Sequence, residues 1–472
     1  MATQVSWRRD APSALKLRDE SRLVPNRTAQ LSPSGLMPLR RRISGLRCTG
    51  MGHRAAKDIY DELSTKLDGS MVRMPDHPAL RQLLLELYSA DEAELVARMP
   101  WGLARIDRVA QVTKRDTAHL TRQLGELAHK GLVLDLTNER TGERFYMPSP
   151  FVVGIYEFTL MRAGPTAEHA HRAKLFHEYI EAGAFYRANF GDGQQVFIAR
   201  ALPHPNTVEE STLVLHPDRV ESIIEQQQQF SVGICACRHE QEHVGHRRCS
   251  TPLGTCTAMG SSAEYLVRHG LARASSRTEM LEIVARSRET GLVLCADNVT
   301  QGVSFICHCC RCCCQLLRGM NDFGYPNVIT TSPFAPAVET ATCNSCGACV
   351  KACPVGALTS SKESVPKLDA QRCIGCGVCA TRCRQRALRL RAGTRRRILP
   401  ENSFERVILQ CLERGTLQNL VFDNPRSRTQ KAMRGLLGGL LRLPQLKRRL
   451  VSEAYRSTFL RGLALVSGYD GP

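Results

Sequence analysis

The residues best suited to chemistry are cysteines, and they fall in two stretches. Cys343, Cys346, Cys349 and Cys353, followed by Pro354, spell C-x2-C-x2-C-x3-C-P. Cys373, Cys376, Cys379 and Cys383 repeat the spacing, with Arg384 in place of the proline. Three thiolates on one tight loop can reach three irons of a cubane, while the fourth, at the start of the next helix, points away toward a second cluster. The spacing therefore assigns Cys343, Cys346, Cys349 and Cys383 to one [4Fe-4S] cluster, and Cys373, Cys376, Cys379 and Cys353 to its partner. Gly347, Gly375 and Gly377 let the backbone turn its amides toward the sulfides. A pair of zinc sites would use C-x2-C pairs separated by a longer loop and would not need a third cysteine in each run. Around the second motif stand Arg372, Arg382, Arg384, Arg386, Arg389 and Arg391. Positive charge there favours the reduced cluster, and the same arginines can form a docking face.

The second stretch lies upstream. Cys235, Cys237, Cys249 and Cys256 come first, and Cys307, Cys309, Cys310, Cys312, Cys313 and Cys314 follow about fifty residues later in the run CHCCRCCC. Inert core cysteines occur singly, so ten thiols interleaved with Arg, His and Gln read as metal ligands. The first four can bind a [4Fe-4S] cluster or zinc and the other six can complete a second centre. A further iron-sulfur cluster is the preferred reading and structural zinc the other. His239, His243, His246 and His308 are secondary candidates for a missing thiolate.

The ferredoxin-like repeat resembles the bacterial two-cluster ferredoxin family over residues 338–392. The wider arrangement places FVVGIYEF (151–158) upstream, then a C-x-C-R strand end, a C-x6-C pair and the run C-x-C-C-x-C-C-C ahead of the repeat. It resembles a family of bacterial multi-cluster iron-sulfur proteins over most of residues 51–460. That resemblance implies a redox role and names no substrate.

Of the 21 cysteines, 19 lie between Cys235 and Cys383, and only Cys48 and Cys411 lie outside. A long chain with no apolar signal segment at its start is not a secreted disulfide scaffold, and the expected location is the cytoplasm. No apolar run approaches the length of a membrane span. The formal charge of +19 invites a nucleic-acid reading, but its distribution argues otherwise. Residues 1–50 carry 10 basic and 3 acidic groups and residues 384–472 carry 19 and 6, leaving 35 and 36 for the body of the chain.

Elements that would position the cysteines can be read from periodicity and caps. Residues 1–50 read as a basic disordered leader, with Met51 a possible start. Residues 51–160 read as a winged-helix-like domain. In it Ile106, Val109 and Ala110 lie on a short helix, Leu120, Leu124 and Leu127 on a second that ends at Gly131, and strands over 132–136 and 144–147 form a hairpin. The second helix is nearly neutral, so protein contact is expected there and sequence-specific DNA binding is not. Residues 161–330 form a Cys-rich central domain, with a long helix over 165–190, a helix over 217–229, a strand over 230–234 and helices over 262–269 and 277–290. The 2[4Fe-4S] domain follows at 338–392, and 398–472 is a basic helical tail expected to pack on its own protein. The fold class is thus α+β and multidomain. The expected function is relay of single electrons to a partner oxidoreductase, and the rival is a redox-sensing regulator acting through the winged helix. No nucleotide or flavin fingerprint marks a self-sufficient enzyme.

Overall fold

The computed structural model describes residues 51–138, 141–162, 166–209, 216–361, 364–393, 397–443 and 450, with the backbone alone for 51–58 and 216. The expected leader and the end of the tail lie outside the described residues.

Three helices, Met51–Asp68, Pro78–Leu87 and Ala90–Arg98, come first. The third begins where the sequence places a reciprocal cap: Ser89 Oγ accepts from the Glu92 amide at 3.3 Å and Glu92 Oε2 from the Ser89 amide at 2.9 Å. Strand β1 (Ala104–Arg105), helices Ile106–Thr113 and Thr117–Lys130, and strands β2 (Val133–Thr137) and β3 (Arg144–Pro148) follow. The strands form one antiparallel sheet in the order β1-β3-β2. Gly131 stops the second helix with φ 81°, and a Cβ there would stand 2.4 Å from Phe158 Cβ. Both the turn and the packing therefore require glycine. Downstream, the single helix expected over 165–190 is two, Ala167–Glu181 and Ala184–Phe190, because Gly183 adopts φ 72° between them.

The centre of the molecule is a six-stranded antiparallel sheet. Its strands are β4 (Ala199–Leu202), β5 (Phe230–Gly233), β6 (Cys256–Met259), β7 (Ala272–Ser275), β8 (Val293–Asp297) and β9 (Phe305–Cys309), in the order β4-β8-β9-β6-β5-β7. Helices Val220–Glu225 and Arg277–Thr290 cover one face, where Ile223, Met280 and Ile283 pack on Leu294, Ala296 and Ile306. The α-helix expected over 217–229 is confined to Val220–Glu225, with a 3-10 turn at its proline. Successive strand residues alternate sides, so Val293, Cys295, Phe305, Cys307 and Cys309 belong to the opposite face. That face packs into a second core with Phe151, Tyr156, Phe185, Tyr186 and Phe197.

Cysteine-bearing helices are held against this face by one buried carboxylate. Glu240, fully buried on helix Ala236–His243, accepts hydrogen bonds from Tyr156 Oη and Gln315 Nε2 and meets His177 Nδ1 at 2.8 Å. Cys235 and Cys237 lie at the start of that helix, and Gln315 directly follows Cys314 at the start of helix Gln315–Asn321. One side chain thus sets the spacing between two thiol-bearing segments.

The remaining strands belong to the repeat: β10 (Phe334–Val338), β11 (Leu358–Thr359), β12 (Lys367–Leu368) and β13 (Leu388–Ala392), with β10 paired to β13 and β11 to β12. Its two halves meet the rest of the chain differently. The second motif is bonded to the body: the His204 amide donates to the Cys376 carbonyl at 3.0 Å, Ser332 to Ile374 at 3.0 Å and Glu209 to Leu390 at 2.9 Å. Gly375 (φ 67°) lies so close that a Cβ would stand 2.2 Å from Ser332 Oγ and 2.3 Å from the Phe334 carbonyl oxygen. In the first motif the matching place is held by Ser345, and Gly347, which matches Gly377, has φ 68° and open space around it.

Beyond the repeat, helix Ser403–Arg414 packs by Ile408, Leu409, Cys411 and Leu412, and buried Arg414 donates to Asn189 Oδ1 at 3.0 Å and to the Val196 carbonyl at 3.2 Å. Packing is thinner further on. Helix Arg428–Leu441 buries only Leu441 fully and leaves Leu436 62% exposed, so it covers little of the core.

Two outcomes are expected. Gly375→Ala should cost about 3 to 5 kcal/mol, combining a left-handed conformation with a backbone clash, while Gly347→Ala should cost only the conformational part, about 1 to 2 kcal/mol. Denaturant unfolding of the two variants would test the difference, and equal costs would refute the close docking. The second concerns His177, whose pKa is raised by its hydrogen bond to Glu240 against the effect of burial. A raised folded pKa contributes stability fully present below the ordinary imidazole value and lost as pH rises through the folded one. Wild type should therefore exceed His177→Gln in Tm by more at about pH 5.5 than at about pH 8.5, bracketing the ordinary value near 6.5. A gap independent of pH would exclude an ionised His177 against Glu240.

Candidate metal centres

The thiols of the repeat gather in two sets that cross the motifs. Cys343, Cys346, Cys349 and Cys383 line one small cavity, walled by Pro366 and Leu388. Burial pushes the Cys349 thiol up, and the neighbouring Cys383 and Cys343 push it further. In the other set the Cys376 thiol is pushed up by burial, then by Cys379, Cys353 and Cys373. Cys379 feels burial, Cys353, Cys373 and also Cys349, so the two sets adjoin. Backbone amides already address the sulfurs: Ala357 donates to Cys353 Sγ at 3.2 Å and Gly375 to Cys373 Sγ at 3.4 Å. Exposure is graded, because Cys346 is exposed while Cys353, Cys376 and Cys379 are buried.

The ten upstream thiols divide across their two patches. Cys249 leaves its neighbours in sequence and joins Cys310, Cys312 and Cys313, with all four sulfurs within 4.8 Å of one another. Cys249 Sγ lies 3.7 Å from Cys310 and 3.9 Å from Cys313, and Cys312 lies 3.5 Å from Cys313. Four thiolates at the usual zinc–sulfur distance of about 2.3 Å in a tetrahedron stand about 3.8 Å apart, so this set fits a single ion. A cubane places each thiolate on a separate iron and needs a wider spread.

Cys235, Cys237, Cys256, Cys307, Cys309 and Cys314 remain, and all six line one apolar chamber between the second face of the central sheet and the aromatic core packed on it. Strand geometry brings three of them there. Cys307 and Cys309 are two residues apart on β9, and the pairing of Thr257 with Ile306 sets Cys256 opposite Cys307. The other three come from the starts of the two helices that Glu240 joins. Contacts run round the wall: Cys235 is pushed up by the Cys237 thiol and by burial, Cys314 is held down by hydrogen bonds from Cys237 and Cys309, and Cys256 is pushed up by burial and then by Cys307.

Arg238 stands between the two upstream sets. Its guanidinium is buried, donates to Thr255 Oγ1 and the His308 carbonyl, and feels the charges of Cys235, Cys310 and Cys309. Cys310 is held down by the Cys313 thiol and then by Arg238. The histidine alternatives are otherwise engaged. His308 lies on the helix-covered side of β9, its Nδ1 2.7 Å from Ser287 Oγ and its Nε2 3.3 Å from Thr257 Oγ1, and burial lowers its pKa to about 3. His239 meets the Leu160 carbonyl and His243, and the His246 ring abuts His177.

Three participants escape a reading of spacing alone. Cys295 pairs in register with Cys307 and its thiol adjoins Cys309, yet it is a solitary cysteine in GLVLCAD. Only strand alternation beside FICHC could have singled it out. Glu240 and Arg238 carry no metal-ligand spacing, and their roles appear only when distant segments meet.

Residues 342–397 match a family model described as a 4Fe-4S dicluster domain. No curated protein and no solved structure matches the chain. Among the described residues no helix is long and apolar enough to cross a membrane. The chain thus contains an iron-sulfur, ferredoxin-type segment within a larger molecule of mixed helices and strands.

Proposed function

We propose that this protein relays single electrons through two [4Fe-4S] clusters in the 342–397 segment to a partner oxidoreductase. Cys343, Cys346, Cys349 and Cys383 would hold one cluster, and Cys373, Cys376, Cys379 and Cys353 the other. The observation that carries the reading is the crossing of the two motifs: each set of four thiols gathers three cysteines of one motif with the last cysteine of the other. Adjacent clusters suit rapid exchange of one electron, and exposed Cys346 puts the first set nearest to a partner. Arg382, Arg384 and Arg386 are exposed beside the second motif and offer a basic surface to an acidic partner. The set around Cys249 is a structural zinc site on this reading, because a single ion fits its sulfur spacing and Arg311, inside its loop, ties it to the Cys353 carbonyl at 2.8 Å.

The regulator reading gains no support from the helix Thr117–Lys130. Arg115, just before it, is paired with Asp91 at 2.8 Å, and Lys130 at its end is paired with Glu92 at 2.7 Å. Charges committed to carboxylates within the module are poorly placed to neutralise phosphates.

Cys383→Ser in the full chain should alter the cluster of Cys343, Cys346 and Cys349 and spare the other, although these residues stand thirty or more positions away. EPR of the reduced protein separates the two signals, and damage confined to the cluster of Cys373, Cys376 and Cys379 would defeat the crossed assignment. In a competition against random duplexes, the intact protein should show no sequence preference. Selective binding that changed on cluster reduction would replace the relay with the regulator.

A further inference from the structure

We propose that the chamber between the central sheet and the aromatic core on its second face is a third iron-sulfur site, held by thiolates drawn from Cys235, Cys237, Cys256, Cys307, Cys309 and Cys314 and distinct from the four-thiol set at Cys249, whose Cys310 also reaches the chamber wall. The inference deepens the iron-sulfur reading above and rests on it for the chemistry of the chain.

Convergence is the first support. Six thiols arrive from four segments: the end of β5 with the helix it feeds, the start of β6, the length of β9, and the start of helix Gln315–Asn321. Cysteines buried for packing alone are dispersed through a core, and these six share one cavity. Their arrangement is the second. Among the described residues, the four sulfurs of the Cys249 set lie within 4.8 Å of one another, close enough for one ion, and the chamber thiols form no such tight group. Instead they are spread round the wall of one chamber, as thiolates must be when each reaches a different iron of an inorganic core.

The surroundings supply the third support. Phe151, Phe185, Phe197 and Phe305 wall the chamber with apolar rings, where an anionic cluster is stabilised by a nearby counter-charge. Arg238 provides one. It lines the chamber, and its buried Nε has no hydrogen-bond partner among the protein atoms. The location is the fourth. The helix after Cys314 sends Asn321 Nδ2 to the Pro354 carbonyl at 2.9 Å, next to Cys353 of the second cluster set. Cys309, Cys314, Cys353 and Cys376 also share one continuous core. A cluster in the chamber would stand in series with the ferredoxin-type pair.

The test is metal analysis with Mössbauer spectroscopy on the full chain, purified without oxygen and loaded with iron and sulfide. Wild type should hold at least about twelve irons, about eight in the repeat and about four or more in the chamber, with about one zinc. Cys256→Ser combined with Cys307→Ser and Cys309→Ser, which leaves three chamber thiols where a cubane needs four, should remove about four irons or more while the zinc and the EPR signals of the repeat persist. Cys249→Ser with Cys312→Ser should remove the zinc and no iron. A third variant, Cys349→Ser with Cys379→Ser, protects the test against a chamber variant that fails to fold: iron should survive in it at about four per chain or more. Eight irons in wild type with none left in this third variant would overturn the chamber site and leave the two-cluster relay standing. Loss of zinc from the Cys256, Cys307 and Cys309 variant with iron unchanged would overturn it too. Iron confined to the chamber would instead sink the relay while sustaining the third site.

Discussion

Thiols can act as ligands only after they lose their protons, and burial opposes that loss. This conflict governs the central part of the molecule, where Cys235, Cys256 and Cys309 are all pushed upward by neighbouring thiols or by burial. Arg238 answers it from within. Its position after Cys237 lets one guanidinium feel Cys235, Cys309 and Cys310, so a single buried cation serves both upstream sets. The arrangement would be costly without something to balance it, since burying an unpaired cation or crowding protonated thiols is unfavourable. Metal binding would balance both at once, because it releases the thiol protons and leaves a net negative thiolate centre opposite Arg238, and it would couple loading of these sites to the folding of the segments that carry them.

Those segments are fixed by two independent devices. Strand alternation and register put Cys256, Cys307 and Cys309 on one face of the sheet, where a slip of one residue would exchange Cys307 for His308 and turn the thiol into the helix-covered core. Glu240 fixes the helical half by joining the helix after Cys235 to the one after Cys314. The second cluster motif is then fitted to the same body through Gly375 and Gly377, where a Cβ would stand 2.2 Å from Ser332 Oγ and 2.4 Å from Thr207 Oγ1 respectively. The first motif lacks such contacts at Gly347 and stands nearer the surface.

What could be read from sequence was local. The repeat announces itself by spacing, Ser89 with Glu92 and Ser276 with Glu279 mark helix starts, and Gly131 and Gly291 mark helix ends, all of which need only a few adjacent residues. The grouping of the upstream thiols was not local. Cys249 meets Cys310 across 61 positions, and nothing near either residue records that Cys256 belongs elsewhere. Solitary Cys295 was invisible for the same reason, because its place depends on the pairing of β8 with β9. Helix length also exceeded local reading: apolar spacing continues through 165–190, and only the left-handed Gly183 divides it.

A gradient of burial gives the proposed relay its direction. Cys346 is exposed, the second cluster set is mostly buried against β4 and the loop that follows it, and the chamber lies behind aromatic side chains. Burial disfavours the more highly charged reduced state of a cluster, whereas nearby arginines favour it, so depth and charge act in opposition along the path. The second set has both a buried site and the arginine-rich flank, and Arg238 does for the chamber what that flank does for the repeat. Positive charge placed beside each deeper site is what would keep an electron from being confined to the exposed first cluster. The interior can then exchange electrons with a partner that touches only the surface, and the zinc-type set, having no accessible redox change, can hold the loop of Cys310–Cys314 in place without diverting them.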